Sequence, residues 1–174
     1  MRGIVVYFSR AGENYGVGVV EKGNTRVLAE QIASVSGSAL FEITPQKPYP
    51  QNYEQCLAAA RRDQAAAARP ALAGMPDSLS SHDTVFLGTP IWWEDLPMPV
   101  YTFLENADLS GMVIAPFCTH EGSGFDGTDR RIAALCPAAA RVTPPLFMYG
   151  HDAQQGGSTA EQAVRAWLER LALA

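Results

Sequence analysis

The chain has 174 residues, of which 47% are hydrophobic and 18% are charged, and its formal net charge is −5. These values are typical of one globular domain and differ from those of disordered or collagen-like chains. Basic residues are scattered, and no segment approaches the ~20 consecutive apolar residues of a membrane helix. We therefore expect neither nucleic acid nor a membrane as a partner.

The three cysteines are widely spaced and include no Cys-x-x-Cys pair. This pattern argues against a disulfide framework and a zinc ribbon. It favours free thiols in a reducing compartment, so we expect a cytoplasmic protein without a structural metal.

The first half of the chain predicts two strands and two helices. Residues 3–8 form a continuous apolar run, which is typical of a strand covered on both faces in a parallel sheet. A glycine-rich stretch follows, and a helical pattern begins at Asn24. Residues 39–44 predict the second strand, and the alanine-rich segment 53–68 predicts a surface helix after a proline-rich loop.

The second half continues the alternation of strands and helices. Residues 83–88 and 112–117 predict the third and fourth strands, each followed by a polar loop and a helix. A weaker fifth strand lies in residues 140–148, interrupted by Pro144-Pro145, and an amphipathic helix follows.

This alternation predicts an α/β fold, a three-layer doubly wound five-stranded parallel sheet in a single domain covering residues 1–174. The expected strand order is 2-1-3-4-5. Ligands of such sheets bind beyond the carboxyl ends of the strands, where the winding direction reverses. In this chain those ends are residues 9–25, 89–95 and 118–124, which are also the loops of most unusual composition.

The first of these loops has the chemistry of a phosphate site. Ser9, Asn24 and Thr25 offer hydroxyl and amide groups beside a helix N-terminus, which supplies free N–H groups and a partial positive charge. The sequence contains no Gly-Lys-Ser/Thr of a P-loop and no intact Gly-x-Gly-x-x-Gly after the first strand. An ordinary helix cap and turn remains the alternative.

The second loop places two indoles in a polar, proline-bounded segment. Trp92 and Trp93 would bury their apolar area against a flat partner such as a stacked tricyclic ring. The alternative is that one or both pack onto a neighbouring helix.

The third loop, residues 119–124, is rich in glycine and short side chains. Its backbone N–H groups can approach the edge of a ring, and the hydroxyls of Thr119 and Ser123 can bond carbonyl oxygens or ring nitrogens. A plain surface turn is the alternative. His120 could face such a ring, although an ordinary loop histidine is the favoured interpretation.

Several motifs in order resemble the flavodoxin-like proteins of bacteria, and the resemblance covers nearly the whole chain. The matching segments are Tyr7-Phe8-Ser9, Gly23-Asn24-Thr25, Tyr49-Pro50, Pro90-Ile91-Trp92-Trp93, the run from Ala115 to Gly124, and Trp167-Leu168.

The resemblance implies FMN as the cofactor. It assigns the phosphate to Ser9, Asn24 and Thr25, and the flavin ring to the space between two loops. The implied cofactor-binding residues are Ser9, Arg10, Asn24, Thr25, Thr89, Pro90, Ile91, Trp92, Trp93, Thr119, Gly122, Ser123 and Gly124. One departure stands out, because residues 10–23 separate Ser9 from Asn24 where a flavodoxin's phosphate loop is compact. We expect this insertion to loop out over the cofactor or into a partner interface.

Two functions are compatible with a flavin, and neither requires a catalytic side chain because the flavin performs the redox chemistry. One is an oxidoreductase that uses NAD(P)H to reduce quinone-like or other small acceptors. The other is a one-electron carrier serving redox protein partners. The mild net charge slightly favours the oxidoreductase, since carriers rely on strongly charged surfaces. A homodimer is compatible with either function.

Other classes of protein lack essential residues. His120-Glu121 does not continue to a His-Glu-x-x-His zinc motif, since residue 124 is glycine. Gly122-Ser123-Gly124 lacks the spacing of a serine-hydrolase elbow. A receiver domain needs carboxylates after the first strand, where this chain has Ser9-Arg10. A non-flavin phosphate-binding or signalling domain is therefore a distant alternative.

Overall fold

The computed structural model of the protein describes residues 2–124 and 127–173. In chain order the strands are β1 (Gly3–Tyr7), β2 (Gly12–Asn14), β3 (Gly18–Val20), β4 (Ala39–Glu42), β5 (Thr84–Pro90), β6 (Val113–His120), β7 (Arg141–Val142) and β8 (Leu146–Tyr149). The helices are α1 (Asn24–Ser36), α2 (Tyr53–Ala65), α3 (Met98–Asn106), α4 (Thr128–Leu135), α5 (Gly150–Gln155) and α6 (Gly157–Leu173).

The main sheet is parallel and has the order β4-β1-β5-β6-β7, with β8 also paired to β6. Counted as five strand positions, this is the predicted order 2-1-3-4-5, so the predicted fold class is confirmed. The fifth position is divided between β7, which pairs with the start of β6, and β8, which pairs with its end. Pro144-Pro145 lies between them, where proline lacks the N–H that a sheet ladder needs.

Side chains of β1 alternate between two buried layers. Val6 packs with residues of α3 and α4 on one face of the sheet, whereas Val5 packs with residues of α1 and α6 on the other. Both valines are completely buried. Burial on both faces explains why the strand is apolar at every position, and it gives the three layers of the fold.

The structure differs from the sequence-based expectations in several features, including the short helix α5, which was not predicted. The third and fourth strands run further than predicted, so that Thr89, Pro90 and Thr119 belong to strand ends rather than loops. In addition, the insertion contains the antiparallel hairpin β2–β3, which the glycine-rich composition did not reveal. Within the described residues, none of the helices has the length and apolar character needed to cross a membrane.

Candidate functional site

A cavity of about 390 Å³ lies at the carboxyl edge of the sheet. This volume is within the range of small-molecule sites, roughly 300–1,000 Å³. Its walls come from the ends of β1, β5 and β6, from the hairpin β2–β3, and from α1 and α2. The lining residues are Ser9, Arg10, Asn14, Tyr15, Asn24, Thr25, Tyr53, Cys56, Leu57, Ala60, Pro90, Ile91, Trp92, Trp93, Thr119, His120, Glu121 and Ser123.

The three segments singled out from the sequence therefore meet around one space. All of the predicted cofactor-binding residues line the cavity except Thr89, Gly122 and Gly124. Thr89 is completely buried, and its hydroxyl donates to the carbonyl of Pro90, so it supports the strand end rather than the cavity wall.

The buried end of the cavity, here called the inner end, is formed by Ser9, residues 23–25 and Thr119. The Oγ atoms of Thr25 and Thr119 are 2.8 Å apart in a hydrogen bond that joins α1 to β6. Ser9 Oγ accepts a hydrogen bond from the backbone N–H of Arg26 at 3.1 Å. These contacts connect the ends of two strands to the first turn of α1.

The first turn of α1 keeps unpaired donors at this end. Its N-cap residue is Gly23, and no side-chain cap hydrogen bond is made there. Among the described residues, the backbone N–H groups of Asn24 and Thr25 have no hydrogen-bond acceptor. Free N–H groups at a helix N-terminus bind anions, so this end of the cavity has the chemistry of a phosphate site.

Gly23 is required by close approach rather than by its backbone angles. Its φ is −63°, which any residue adopts. A Cβ at this position would collide with Ser9 Oγ and with the carbonyl oxygen of Arg10. The absent side chain allows the strand end and the helix start to pack directly together.

The Asn24 side chain is held in place by the segment around α5. Its Oδ1 accepts a hydrogen bond from Gln154 Nε2 at 2.9 Å, and the same Nε2 also donates to the carbonyl of Lys22 at 2.7 Å. The amide of Asn24 lies against Gly150, where a Cβ would strike Asn24 Nδ2. The amide is thereby oriented before any ligand binds.

Trp92 has a structural role in addition to lining the cavity. Its ring makes edge contacts with Phe8 and Tyr49, with centroids 5.3 and 5.0 Å away. Its backbone exchanges two hydrogen bonds with Asp95, closing a tight turn whose central residues, Trp93 and Glu94, have φ of 53° and 59°. A left-handed backbone conformation costs a residue other than glycine roughly 1–2 kcal/mol. Contacts with the surrounding residues therefore stabilise this turn.

The ring of Trp93 contacts α2 through a hydrogen bond from its indole N–H and through a cation–π contact on one face. Its Nε1 donates to the carbonyl of Leu57 at 3.2 Å, and the Arg61 guanidinium lies 4.8 Å from the ring centroid. The side chain is nevertheless 42% exposed. Each tryptophan thus combines the two interpretations that the sequence offered, packing and lining the cavity.

His120 organises the third loop, which corrects the interpretation of an ordinary loop histidine. Its Nδ1 accepts hydrogen bonds from the backbone N–H groups of Gly122 and Gly124, at 3.0 and 3.1 Å. Nδ1 therefore carries no proton, and the remaining proton of the neutral ring is on Nε2. In this structure the N–H groups of Gly122 and Gly124, which the sequence suggested could face a ring edge, are bonded to His120 instead.

Burial lowers the pKa of His120, and the smaller opposing effect of the Glu121 carboxylate does not reverse the shift. The ring lies against Tyr149 of β8, with centroids 4.6 Å apart. The neutral form, which the two glycine N–H bonds require, is therefore the form that the folded protein favours.

Glu121 brings a carboxylate to the cavity wall next to the inner end. Its Oε1 accepts a hydrogen bond from the backbone N–H of His151, and its Oε2 lies 3.1 Å from His151 Nδ1. A Cβ at Gly150 would lie 2.6 Å from Glu121 Oε1. The start of α5 thus holds this carboxylate on one side and the Asn24 amide on the other.

The hairpin β2–β3 forms the exposed end of the cavity, here called the outer end, together with Trp93 and Tyr53. The Arg10 guanidinium fastens its base by donating to the carbonyls of Pro50, Glu13 and Gln51 at 2.9, 2.7 and 2.5 Å. Arg10 lines the cavity, but its guanidinium nitrogens are committed to carbonyls of the hairpin and of the loop before α2.

A second set of contacts joins the hairpin to both sides of the cavity. The Glu13 carboxylate accepts hydrogen bonds from Asn52 Nδ2 and Tyr53 N at the start of α2. At the opposite side, the turn of the hairpin touches the third loop, since a Cβ at Gly16 would lie 2.9 Å from Glu121 Cδ. The hairpin therefore spans the mouth of the cavity.

Sequence reasoning missed the lining residues that come from elements without a motif. Asn14 and Tyr15 lie in the insertion, and Tyr53, Cys56 and Leu57 lie on a helix that was read only as a surface helix. The start of the α2 segment, with Asn52 before Tyr53, carried a cap signal, but nothing local indicated that its first turn faces the cavity.

Comparison with known proteins agrees with this architecture. The sequence model of the flavodoxin family matches residues 4–171. No curated protein matches the sequence. Among solved structures, a protein from Bacteroides eggerthii that is named as a flavoprotein has 26% identity and a TM-score of 0.75, with 98% of each chain covered.

Two further structures share the fold at lower identity. A protein from Bacteroides uniformis, also named as a flavoprotein, has 24% identity and a TM-score of 0.76, with 97% of each chain covered. A flavoprotein from Lactobacillus acidophilus, solved in complex with FMN, has 16% identity and a TM-score of 0.67, covering 90% of this chain and 99% of that one. Since the family match spans almost the entire sequence, the chain belongs to the flavodoxin family.

Proposed function

We propose that the protein binds FMN in the cavity at the carboxyl edge of the sheet and acts as an oxidoreductase. The observation that carries this proposal is the meeting of an uncapped helix N-terminus with a slot bounded by aromatic side chains. The inner end offers Ser9, Asn24, Thr25 and free backbone N–H groups to a phosphate. The loops around Trp92 and Ser123 offer an apolar wall and a polar edge to a flat ring.

The neutral residues of the inner end fit this cofactor in chemistry as well as in place, and the neighbouring Glu121 carboxylate is held by the backbone N–H of His151. Neutral hydroxyl and amide groups at the inner end can donate to an anion without a lysine, and the Asn24 amide is already oriented by Gln154. The FMN bound by the Lactobacillus acidophilus flavoprotein of the same fold supports the assignment.

Bound FMN would supply reversible uptake and release of electrons, singly or in pairs. The chain's own residues would bind the phosphate, orient the ring and limit the access of water. We propose NAD(P)H as the donor and a quinone-like compound as the acceptor. In the net reaction NAD(P)H and one proton from water reduce a quinone to a hydroquinone, which balances two electrons and two protons.

The outer end of the cavity favours a small acceptor over a protein partner. The hairpin β2–β3 is fastened at both sides of the mouth, by Arg10 and Glu13 at one side and by the contact of Gly16 with Glu121 at the other. A carrier needs an open surface on which a protein partner can approach the flavin. Here the hairpin covers part of the cavity mouth, which favours a small molecule as the acceptor. The mild net charge of −5 agrees with this preference.

The test of FMN binding uses a single charge change at the inner end. Asn24→Asp keeps the shape of the side chain but places a carboxylate beside the proposed phosphate, and Thr159→Asp adds the same charge at the exposed first turn of α6. Titration of the apo-protein with FMN, followed by flavin fluorescence, should show saturable binding that Asn24→Asp weakens at least about tenfold, a change of about 1.4 kcal/mol.

The control Thr159→Asp should leave FMN affinity unchanged. A wild-type protein that does not bind FMN, or an Asn24→Asp variant with wild-type affinity, would contradict the proposed site. With bound FMN, oxidation of NADH or NADPH by a quinone without added protein tests the oxidoreductase function. Turnover that requires a separate reductase would assign the protein to the carriers instead.

A further inference from the structure

We infer that Tyr15, at the tip of the inserted hairpin, forms a binding subsite for planar aromatic electron acceptors at the outer end of the cavity. The inference rests on the proposed function, because it concerns the second substrate of the same site. It assigns a role to residues 10–23, the segment in which the chain departs from the compact phosphate loop of flavodoxins.

The first observation is the position of Tyr15. The residue lines the cavity from the turn of the hairpin, and it is 65% exposed. An aromatic ring that is open to solvent and to a cavity at once has apolar area without a partner. A ligand entering the cavity mouth would cover that area.

The second observation is an aromatic surface around the mouth. The Tyr15 ring lies 6.1 Å from the Tyr53 ring with an angle of 31° between their planes. Trp93 lines the same cavity and keeps 42% of its surface exposed, while Arg61 occupies one of its faces. Three aromatic side chains therefore line this part of the cavity, and aromatic rings stack favourably on flat aromatic molecules.

The third observation is that the hairpin is held in position rather than free to move away. Arg10 and Glu13 fasten its base to residues 50–53, and Glu13 N donates to the carbonyl of Gln51 at 2.9 Å. Gly16, with a φ of 78°, turns the tip against Glu121. The tip therefore presents Tyr15 at a defined place before the acceptor arrives.

The experiment compares three hairpin variants in steady-state reduction of 2-methyl-1,4-naphthoquinone by the FMN-loaded enzyme, with ferricyanide as a non-aromatic acceptor. Tyr15→Ala removes the ring, Tyr15→Phe keeps it, and Val19→Ala is the matched control. Val19 is 82% exposed on the same hairpin and does not line the cavity.

The proposal predicts that Tyr15→Ala raises the KM for the naphthoquinone about tenfold, corresponding to loss of one aromatic contact of about 1.4 kcal/mol. Tyr15→Phe and Val19→Ala should keep the wild-type KM. The kcat/KM for ferricyanide should stay within twofold of wild type in all three variants, and so should the dissociation constant of FMN.

Three results would overturn the inference. An unchanged naphthoquinone KM in Tyr15→Ala would remove the subsite, and an equal rise in Val19→Ala would assign the effect to the hairpin as a whole. Weaker FMN binding by Tyr15→Ala would place the ring on the cofactor rather than on the acceptor. Absence of FMN binding by the wild-type protein is a different result, because it contradicts the proposed function itself.

Discussion

The two ends of the cavity are built in different ways. The inner end consists of strand ends and a helix start that are fixed by the fold, and its key hydroxyls, Thr25 and Thr119, are 1% and 3% exposed. The outer end consists of an inserted hairpin and a strained turn whose rings face solvent. Under the proposed function, binding of the cofactor and choice of a substrate would therefore be carried by separate parts of one cavity.

The two ends should also respond differently to mutation. Changes at the inner end should reduce cofactor affinity and stability together, since the same contacts hold the layers of the fold. Changes at the outer end should alter acceptor use or local opening with little effect on the rest of the protein.

The largest effect is expected for Gly23→Ala at the inner end. The added Cβ meets Ser9 Oγ and the carbonyl of Arg10, so the strand end must move away from α1. We expect a loss of about 1–3 kcal/mol in the free energy of unfolding. We also expect FMN affinity to fall at least about tenfold.

Denaturant unfolding and FMN titration of the variant measure these two effects. Gly74→Ala is the matched control, because a Cβ at Gly74 has no neighbour within 4 Å and its φ is not positive. A Gly23→Ala variant that behaves like Gly74→Ala would show that the close approach is unimportant.

The next effect concerns the hydroxyl pair that joins α1 to β6. Thr25→Val leaves the buried hydroxyl of Thr119 without its 2.8 Å partner, which should cost about 1–3 kcal/mol of stability. The double variant Thr25→Val with Thr119→Val should cost less than the sum of the single changes. Chemical denaturation of all four proteins measures this coupling, and simple additivity would contradict it.

A pH-dependent effect is expected at His120, between the two ends. Its folded-state pKa is lowered, so its contribution to stability is complete above the unfolded value of about 6.5 and is lost as pH falls through the lower folded value. Protonation of Nδ1 also breaks the bonds from Gly122 and Gly124. Thermal unfolding between pH 7.5 and 5 should therefore show a steeper loss of stability in wild type than in His120→Asn.

Asparagine does not titrate in this range and offers a carbonyl oxygen to the same N–H groups. Ser81→Asn, which introduces the same side chain at an exposed position, is the control and should keep the wild-type slope. Equal slopes in wild type and His120→Asn would mean that protonation of His120 is not linked to folding.

The smallest effect is expected for Arg10→Lys at the outer end. A lysine cannot reproduce the three hydrogen bonds that the guanidinium donates to Pro50, Glu13 and Gln51. The hairpin should open more often and be cut several-fold faster by a protease, while the global free energy of unfolding changes by less than about 1 kcal/mol.

Limited proteolysis with mass mapping of cleavage within residues 11–22 measures this opening. Arg62→Lys, on the exposed face of α2, should leave the cleavage rate unchanged. A global loss of stability in Arg10→Lys would contradict the independence of the two ends.

The different construction of the inner and outer ends also explains which parts of the fold and of the site could be predicted from the sequence. Continuous apolar runs and the residues directly after them defined the sheet and the inner end, because a strand end and the next helix start are neighbours in sequence and in space. The division of the fifth strand was indicated by Pro144-Pro145.

Most contacts of the outer end could not be predicted from local patterns, although Trp93 and a looped-out insertion were expected. Contacts such as Tyr15 with Tyr53, and Gly16 with Glu121, join segments that only the folded sheet brings together. The use of the Gly122 and Gly124 N–H groups by His120 was likewise invisible, because a glycine-rich loop has the same sequence whether its donors point inward or outward.

The most direct test of the account is a crystal structure of the protein grown with excess FMN. We expect FMN in the cavity at the carboxyl edge of the sheet, with its phosphate at Ser9, Asn24 and Thr25 and its ring between the Trp92-Trp93 loop and residues 119–123. A cavity that stays empty under saturating FMN, or FMN bound at another face, would contradict it.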